Sequence, residues 1–276
     1  MAGKSECIAM SKPRIQFDSV SVSFDTDSGP LKVVDDFTLG INEGDFISVV
    51  GPSGCGKTTL MNLIAGFVAP TKGVVTLDGQ KIEGPGRERG VIFQEYGVFP
   101  WLTVEQNILF GLQLKKSEIN KSRYQEILDR YLKLMGLAEF AKSYPKVLSG
   151  GMRQRLAIAR AYAVNPEFLL MDEPFGALDA QTRSSMQNLL LGTLLTEKKT
   201  VMLITHSVEE AVYLASKVVI VTARPTRIKE IIEIPFGFPR QESLKDDSEF
   251  NKLKARIRDS VMQEYDHQQK LLVQTV

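Results

Sequence analysis

Gly51-Pro52-Ser53-Gly54-Cys55-Gly56-Lys57-Thr58 is the stretch on which the reading of this chain turns. It fits the spacing G-x-x-x-x-G-K-[ST], whose glycines let successive backbone N–H groups turn inward around phosphate oxygens. The apolar run Phe46–Val50 leads into it, and a helical pattern opens near Lys57. The start of that helix adds roughly half a unit of positive charge. Lys57 is placed to reach the β/γ-phosphates of a nucleotide, and the Thr58 hydroxyl to ligate Mg2+. The candidate nucleotide-binding residues are therefore Gly51, Pro52, Ser53, Gly54, Cys55, Gly56, Lys57, Thr58 and Thr59, with a nucleotide and Mg2+ expected. Cys55 sits at a variable position of the loop and is given no chemistry of its own.

Upstream, β-like segments span 15–24 and 33–41 before the strand at 46–50, with turn formers between them. Downstream, residues from about Trp101 to Pro145 read as helical and somewhat separate. Thr103 with Gln106 makes a capping box, and Tyr124 to Met135 has helical spacing that stops at Gly136. From Leu148 the pattern returns to an Ala-rich helix over 152–164 and buried strands over 168–171, 201–205 and 218–222. Strands alternating with helices imply a doubly wound, largely parallel α/β sheet. The tail from Glu249 to Leu272 has Phe250, Leu253, Ile257, Val261 and Tyr265 at the spacing of a docked amphipathic helix.

Further chemistry gathers at the predicted carboxyl ends of strands, where ligands bind in such sheets. Phe168–Met171 ends in Asp172 and Glu173. Asp172 is placed for the Mg2+ shell, and Glu173 to orient and activate an attacking water. His206 follows the strand 201–205 and can hydrogen-bond a terminal phosphate and that water. Gln94 ends the expected strand 91–94 and is a candidate sensor of Mg2+ or water. It opens Glu95-Tyr-Gly-Val-Phe-Pro-Trp101, an apolar surface suited to docking a partner. Leu148-Ser149-Gly150-Gly151 puts a hydroxyl and bare N–H groups at a helix start, a second anion site. One chain already has a phosphate cradle, so a second implies a phosphate contacted from a neighbouring subunit. Phe24 offers a face on which adenine can stack.

The bulk numbers set bounds. At 276 residues and 43% hydrophobic, the chain can bury a full core. A net charge of +1 gives no field that points to nucleic acid or anionic lipid. Two cysteines, Cys7 and Cys55, are too few for a disulfide framework or a zinc site. The start, Met1 to Asp18, is interrupted by charges and holds no secretory core. The longest uncharged stretch, Thr58 to Thr71, falls short of the roughly 20 apolar residues that a membrane span needs.

The ordered set Phe24, Gly51–Thr58, Gln94, Leu148–Gln154, Phe168–Pro174, Ala177-Leu178-Asp179 and His206 resembles the ATPase subunits of ABC transporters. The resemblance implies a P-loop NTPase (RecA-like) core with a small antiparallel β subdomain and an inserted helical subdomain. It implies an ATPase domain over 14–225, its helical part at about 101–165, and a C-terminal extension over 226–276. Glu173, His206 and Gln94 then stand as catalytic, Ser149, Gly150, Gly151 and Asp179 as nucleotide contacts across a homodimer, and Thr58, Gln94 and Asp172 at the metal. Phe24 stands where tyrosine is common, which keeps the stacking face and loses a hydroxyl.

Gly84–Gln94, Val98–Trp101 and Ala223–Ile228 look like importer subunits of the nitrate/sulfonate/taurine group. Such importers work with permease subunits and a solute-binding protein, the ATPase lying on the cytoplasmic side of the membrane, with no nucleic acid partner. A different substrate (bicarbonate, cyanate or a vitamin precursor) and a soluble ABC ATPase are the alternatives. Long coiled-coil heptads between loop and signature, which a DNA-repair ATPase would need, do not occur.

Overall fold

The computed structural model describes residues 13–27, 29–94, 97–114, 120–176, 178–197 and 199–274. Most of the amino-terminal stretch, together with Glu95, Tyr96 and Ala177, lies outside the described residues. Strands β1 (Ile15–Thr26), β2 (Gly29–Ile41), β3 (Phe46–Val50), β4 (Lys72–Leu77) and β5 (Gln80–Lys81) come first, with helix α1 (Lys57–Ala65) between β3 and β4. Then follow β6 (Arg89–Ile92), α2 (Val104–Phe110), α3 (Tyr124–Leu134), α4 (Gly150–Ala163), β7 (Phe168–Asp172) and α5 (Ala180–Glu197). The chain closes with β8 (Thr200–Ile204), α6 (Val208–Leu214), β9 (Lys217–Val221), β10 (Ile228–Glu233) and α7 (Ser248–Gln274).

Among the described residues the strands form two sheets, an antiparallel one in the order β2-β1-β4-β5 and a larger one in the order β10-β9-β3-β8-β7-β6. In the larger sheet every pair from β9 to β6 is parallel, and β10 alone runs antiparallel against β9. Its central strands are buried on both faces, which is why they read as continuous apolar runs. Side chains alternate between two cores. Phe46, Val50, Leu169, Met171, Val201 and Leu203 face a core shared with α4 and α6. Ile47, Val49, Phe168, Leu170, Met202 and Ile204 face a core shared with α1 and the antiparallel sheet. Each such side chain removed from water contributes roughly 1.5–3 kcal/mol.

The expected helices and strands are present within two residues at most ends, and Thr103 with Gln106 forms the full capping box. Three differences stand out. The strands β4, β5 and β10 were not anticipated, because each is short and is defined by its partner: β4 by β1, β5 by β4, β10 by β9. The strand expected over 91–94 ends at Ile92, where pairing with β7 stops at Met171, so Gln94 lies in a turn beyond it. The boundary expected at 225 falls between two strands of one sheet, since β10 hydrogen-bonds to β9 and Thr226 donates its N–H to Val33 O at 2.7 Å.

The segment after β10 is tied down as well. The buried Arg240 guanidinium donates to the carbonyls of Val212, Tyr213 and Ala215 at 2.9 Å each, closing the end of α6, and also to Phe236 O. Its face lies 4.1 Å from the Phe238 ring, and burial pushes its pKa down to about 10. Phe250 and Ile257 of α7 are fully buried, as an amphipathic docked helix requires. No helix among the described residues is long and apolar enough to cross a membrane.

Candidate nucleotide-binding site

The carboxyl ends of β3, β8 and β7 lie side by side, so the loop after β3, His206 after β8 and Asp172-Glu173 at the end of β7 meet at one edge. At that edge lies a pocket of about 310 Å3 lined by Gly54, Gly56, Lys57, Thr58, Thr59, Glu173 and His206, together with Val33 and Arg224. Lys57 is buried, and its ammonium donates to Gly51 O at 2.9 Å and Pro52 O at 2.8 Å. The loop therefore curls around its own lysine. Gly56 is indispensable to this shape: at φ +121°, its position would bring a Cβ to 2.6 Å from Thr226 Oγ1.

The Thr58 hydroxyl donates to Asp172 Oδ2 at 2.9 Å. Burial raises the Asp172 pKa, while the Thr58 bond and the nearby Lys57 pull it down and Glu173 pushes it up. Glu173 holds φ +46°, a left-handed backbone uncommon outside glycine, and its N–H donates to Ile204 O at 2.9 Å. Its carboxylate Oε1 lies 2.5 Å from His206 Nε2.

These residues fit a nucleotide and its cation. The N-terminus of α1 has no side-chain cap, so its leading N–H groups are open to an anion. Thr58, which lines the pocket, brings its hydroxyl oxygen against the buried, desolvated Asp172 carboxyl. Among the described residues no cluster of three or more His, Cys, Asp or Glu could hold a metal. The Thr58 hydroxyl with the Asp172 carboxylate is a donor set that suits Mg2+, which takes one or two protein oxygens and completes its shell with water and phosphate.

Ser149 Oγ accepts from Met152 N at 3.3 Å and caps α4. Asp179 caps α5, its Oδ1 accepting from Thr182 N at 3.0 Å; these bonds hold its pKa low. The two helix starts touch, since a Cβ on Gly151 would stand 2.8 Å from Thr182 Cγ2. Ser149, Gly150, Gly151 and Asp179 thus share a neighbourhood, and none of them lines the Lys57 pocket.

Phe24 near the end of β1 is 40% exposed, a free face rather than a core ring. Phe24 and Gln94 are not among the residues that line the pocket. Cys55 is fully buried, its thiol pushed up in pKa by desolvation, so only its backbone serves the loop. Cys55 O accepts from the buried Thr226 hydroxyl, and Ser53 O accepts from Gln268 of α7 at 3.1 Å. Val33, Arg224, Thr226 and Gln268 carry no signal in the sequence that ties them to this loop. No spacing rule links residues near 225 or 268 to a loop at 51–58, and the sheet alone brings them there.

Near Gln94, Trp101 is 68% and Phe93 43% exposed. Arg160 of α4 lies 4.0 Å over the Phe99 ring and donates to Gly97 O. Phe93, Gly97, Phe110, Leu114 and Arg160 line a groove of about 270 Å3 beside this turn.

Known proteins share this fold and much of this sequence. The family model described as ABC transporter matches residues 34–176. The nitrate import ATP-binding protein NrtD of Synechococcus elongatus is 42% identical over 255 residues, covering 92% of this chain and 93% of that protein. The aliphatic sulfonates import ATP-binding protein SsuB of Bacillus cereus is 41% identical over 253 residues, covering 92% and 96%. Among solved structures, the dimeric ATP-binding cassette MJ0796 in a post-hydrolysis state with ADP and Pi superposes with a TM-score of 0.72. It is 29% identical and covers 81% of this chain and all of that one. A family model over residues 34–176 and relatives 42% and 41% identical along 92% of the chain show that it belongs to the ABC transporter family, as an ATPase.

Proposed function

We propose that two copies of this chain bind ATP and Mg2+ between them and power a permease that imports a small anion, of the nitrate or sulfonate class. The observation that carries this reading is the separation of two half-sites in one chain. The Lys57 pocket holds cradle, acids and histidine, while Ser149–Gly151 and Asp179 present their helix starts elsewhere. A second copy turned about a two-fold axis supplies what each pocket lacks.

In this reading residues 14–225, with the helical part at about 101–165, form most of the ATPase unit, β10 of the segment 226–276 completes its sheet, and α7 docks on it as the extension. Lys57 exchanges its bonds to Gly51 and Pro52 for phosphate oxygens. The carboxylate of Asp172 and the hydroxyl of Thr58 would hold the cation, which would supply charge neutralisation at the phosphates. Glu173 orients the attacking water, and His206, 2.5 Å from it, fixes that carboxylate and reaches the terminal phosphate. Phe24 stacks on the base, and Gln94 reports on cation or water. Positioning and charge stabilisation carry the chemistry. ATP favours the closed dimer and hydrolysis releases it.

The groove beside Phe93, Gly97 and Phe110, with exposed Trp101 at its margin, receives the permease on the cytoplasmic side of the membrane. Relatives named for nitrate and aliphatic sulfonate import support the substrate class, which a solute-binding protein would deliver. The test mixes a Lys57→Ala chain with a Ser149→Arg chain. One intact composite site should restore ATPase activity, and two inactive components that stay inactive on mixing would overturn the shared site. Uptake of nitrate, taurine and alkanesulfonates by vesicles holding the co-purified permease then tests the substrate class.

A further inference from the structure

The segment that follows Asp179 and the segment that follows His206 are far apart in sequence, yet one buried carboxylate joins them. Glu210 sits in the first turn of α6 and is only 6% exposed. Its Oε2 accepts from the Thr205 hydroxyl at 2.6 Å, and Thr205 Oγ1 in turn accepts from Ser207 N at 3.0 Å. Ser207 Oγ accepts from Glu210 N at 3.2 Å, so the loop carrying His206 is bound to Glu210 on both sides of the histidine.

The other carboxylate oxygen faces Arg183 of α5, whose Nε lies 3.7 Å from Glu210 Oε1. The same guanidinium donates to Leu178 O at 2.8 Å and Phe175 O at 3.3 Å, so it holds the turn that runs from Glu173 to Asp179. Gln187 hydrogen-bonds Glu210 as well, and Lys245 of the segment before α7 lies 3.4 Å from Gln187 and 4.5 Å over the Tyr213 ring. A charge so placed is costly in itself: burial raises the Glu210 pKa, opposed by the Thr205 bond, Arg183, Gln187 and Lys245. Packing alone would be served as well by a neutral side chain of the same shape.

We infer that Glu210 and Arg183 are positioning residues for ATP hydrolysis, a strut that sets the Asp179 turn and the His206 loop in register with each other. A shift at the Asp179 turn is transmitted through the guanidinium to the carboxylate, and from there through Thr205 to the backbone beside His206. Neither side chain lines the Lys57 pocket, so each acts through the loops it holds. The inference rests on Glu173 and His206 being the catalytic pair.

The test uses Glu210→Gln, which is isosteric and keeps an acceptor for Thr205, and Arg183→Gln, which leaves the core alone. Each should lower kcat about tenfold while nucleotide affinity, read by fluorescent ATP-analogue binding, changes less than about twofold, within the usual range of a coupled pair. The melting temperature of Glu210→Gln should hold or rise, since a buried charge is removed. The double variant should be no slower than either single one. Turnover within about twofold of the parent for both single variants, or losses that multiply in the double, would overturn the strut. Glu173→Gln and His206→Ala run alongside. If those two keep full turnover, the catalytic assignment fails; if they are inactive and the strut variants are unaffected, only the strut fails.

Discussion

Alanine at Gly56 and at Gly54 replaces the same residue type, two positions apart in one loop, and should give sharply different results. Gly54 stands at φ +70° with open space where a Cβ would go. Alanine there meets only the left-handed penalty, about 1–2 kcal/mol. Gly56 stands at φ +121°, and its added Cβ would lie 2.6 Å from Thr226 Oγ1 and 2.8 Å from Val33 Cγ1. Thr226 cannot retreat, because it is fully buried and its hydroxyl is bound to Cys55 O. Backbone strain of about 1–3 kcal/mol and overpacking of about 1–3 kcal/mol then add. The sum is about 4 kcal/mol, a fall in Tm of roughly 10 °C for a chain of this size. Relief by shifting the loop away from Val33 and Thr226 would open it, and each 1.4 kcal/mol of lost fit weakens ATP binding about tenfold. Thermal melts without nucleotide, followed by titration with a fluorescent ATP analogue, measure both. If Gly56→Ala melts within about 1 kcal/mol of Gly54→Ala and binds nucleotide equally well, the close packing of the loop on Thr226 is not what shapes it.

Other substitutions test the remaining joints. Glu173→Gln should leave ATP binding intact and lower turnover by about 10²–10⁴, read as steady-state phosphate release; normal turnover would remove Glu173 from the role of base. Asp172 has a pKa raised by burial, so just above the ordinary carboxylate range the folded protein keeps a proton that the unfolded chain has lost, and stability falls as pH rises there. Asp172→Asn should accordingly melt no lower than the parent without nucleotide and should lose the Tm gain given by MgATP; melts across pH decide it. Arg240→Leu leaves the carbonyls that close α6 without a donor and should cost about 3–5 kcal/mol in urea unfolding, whereas a loss under about 1 kcal/mol would mean that water takes over.

Local pattern determined much of this protein. The spacing of Gly51, Gly56, Lys57 and Thr58 is contiguous, and the strand before and helix after it follow from periodicity in the same window. Asp172, Glu173 and His206 were legible because each ends an apolar run that could only be a buried strand. Such information is short-range: hydrogen-bonded periodicity, caps and turn residues act over a few positions. Tertiary structure alone decided which distant segments close the site. Thr226 reaches Cys55 and Gln268 reaches Ser53 because β9 lies beside β3 and the tail folds back over that edge, and Arg183 reaches Glu210 because β7, which leads to α5, lies beside β8, which leads to α6. The short strands β4, β5 and β10 exist only through their partners, for a strand of a few residues gains its hydrogen bonds from a neighbour and not from itself.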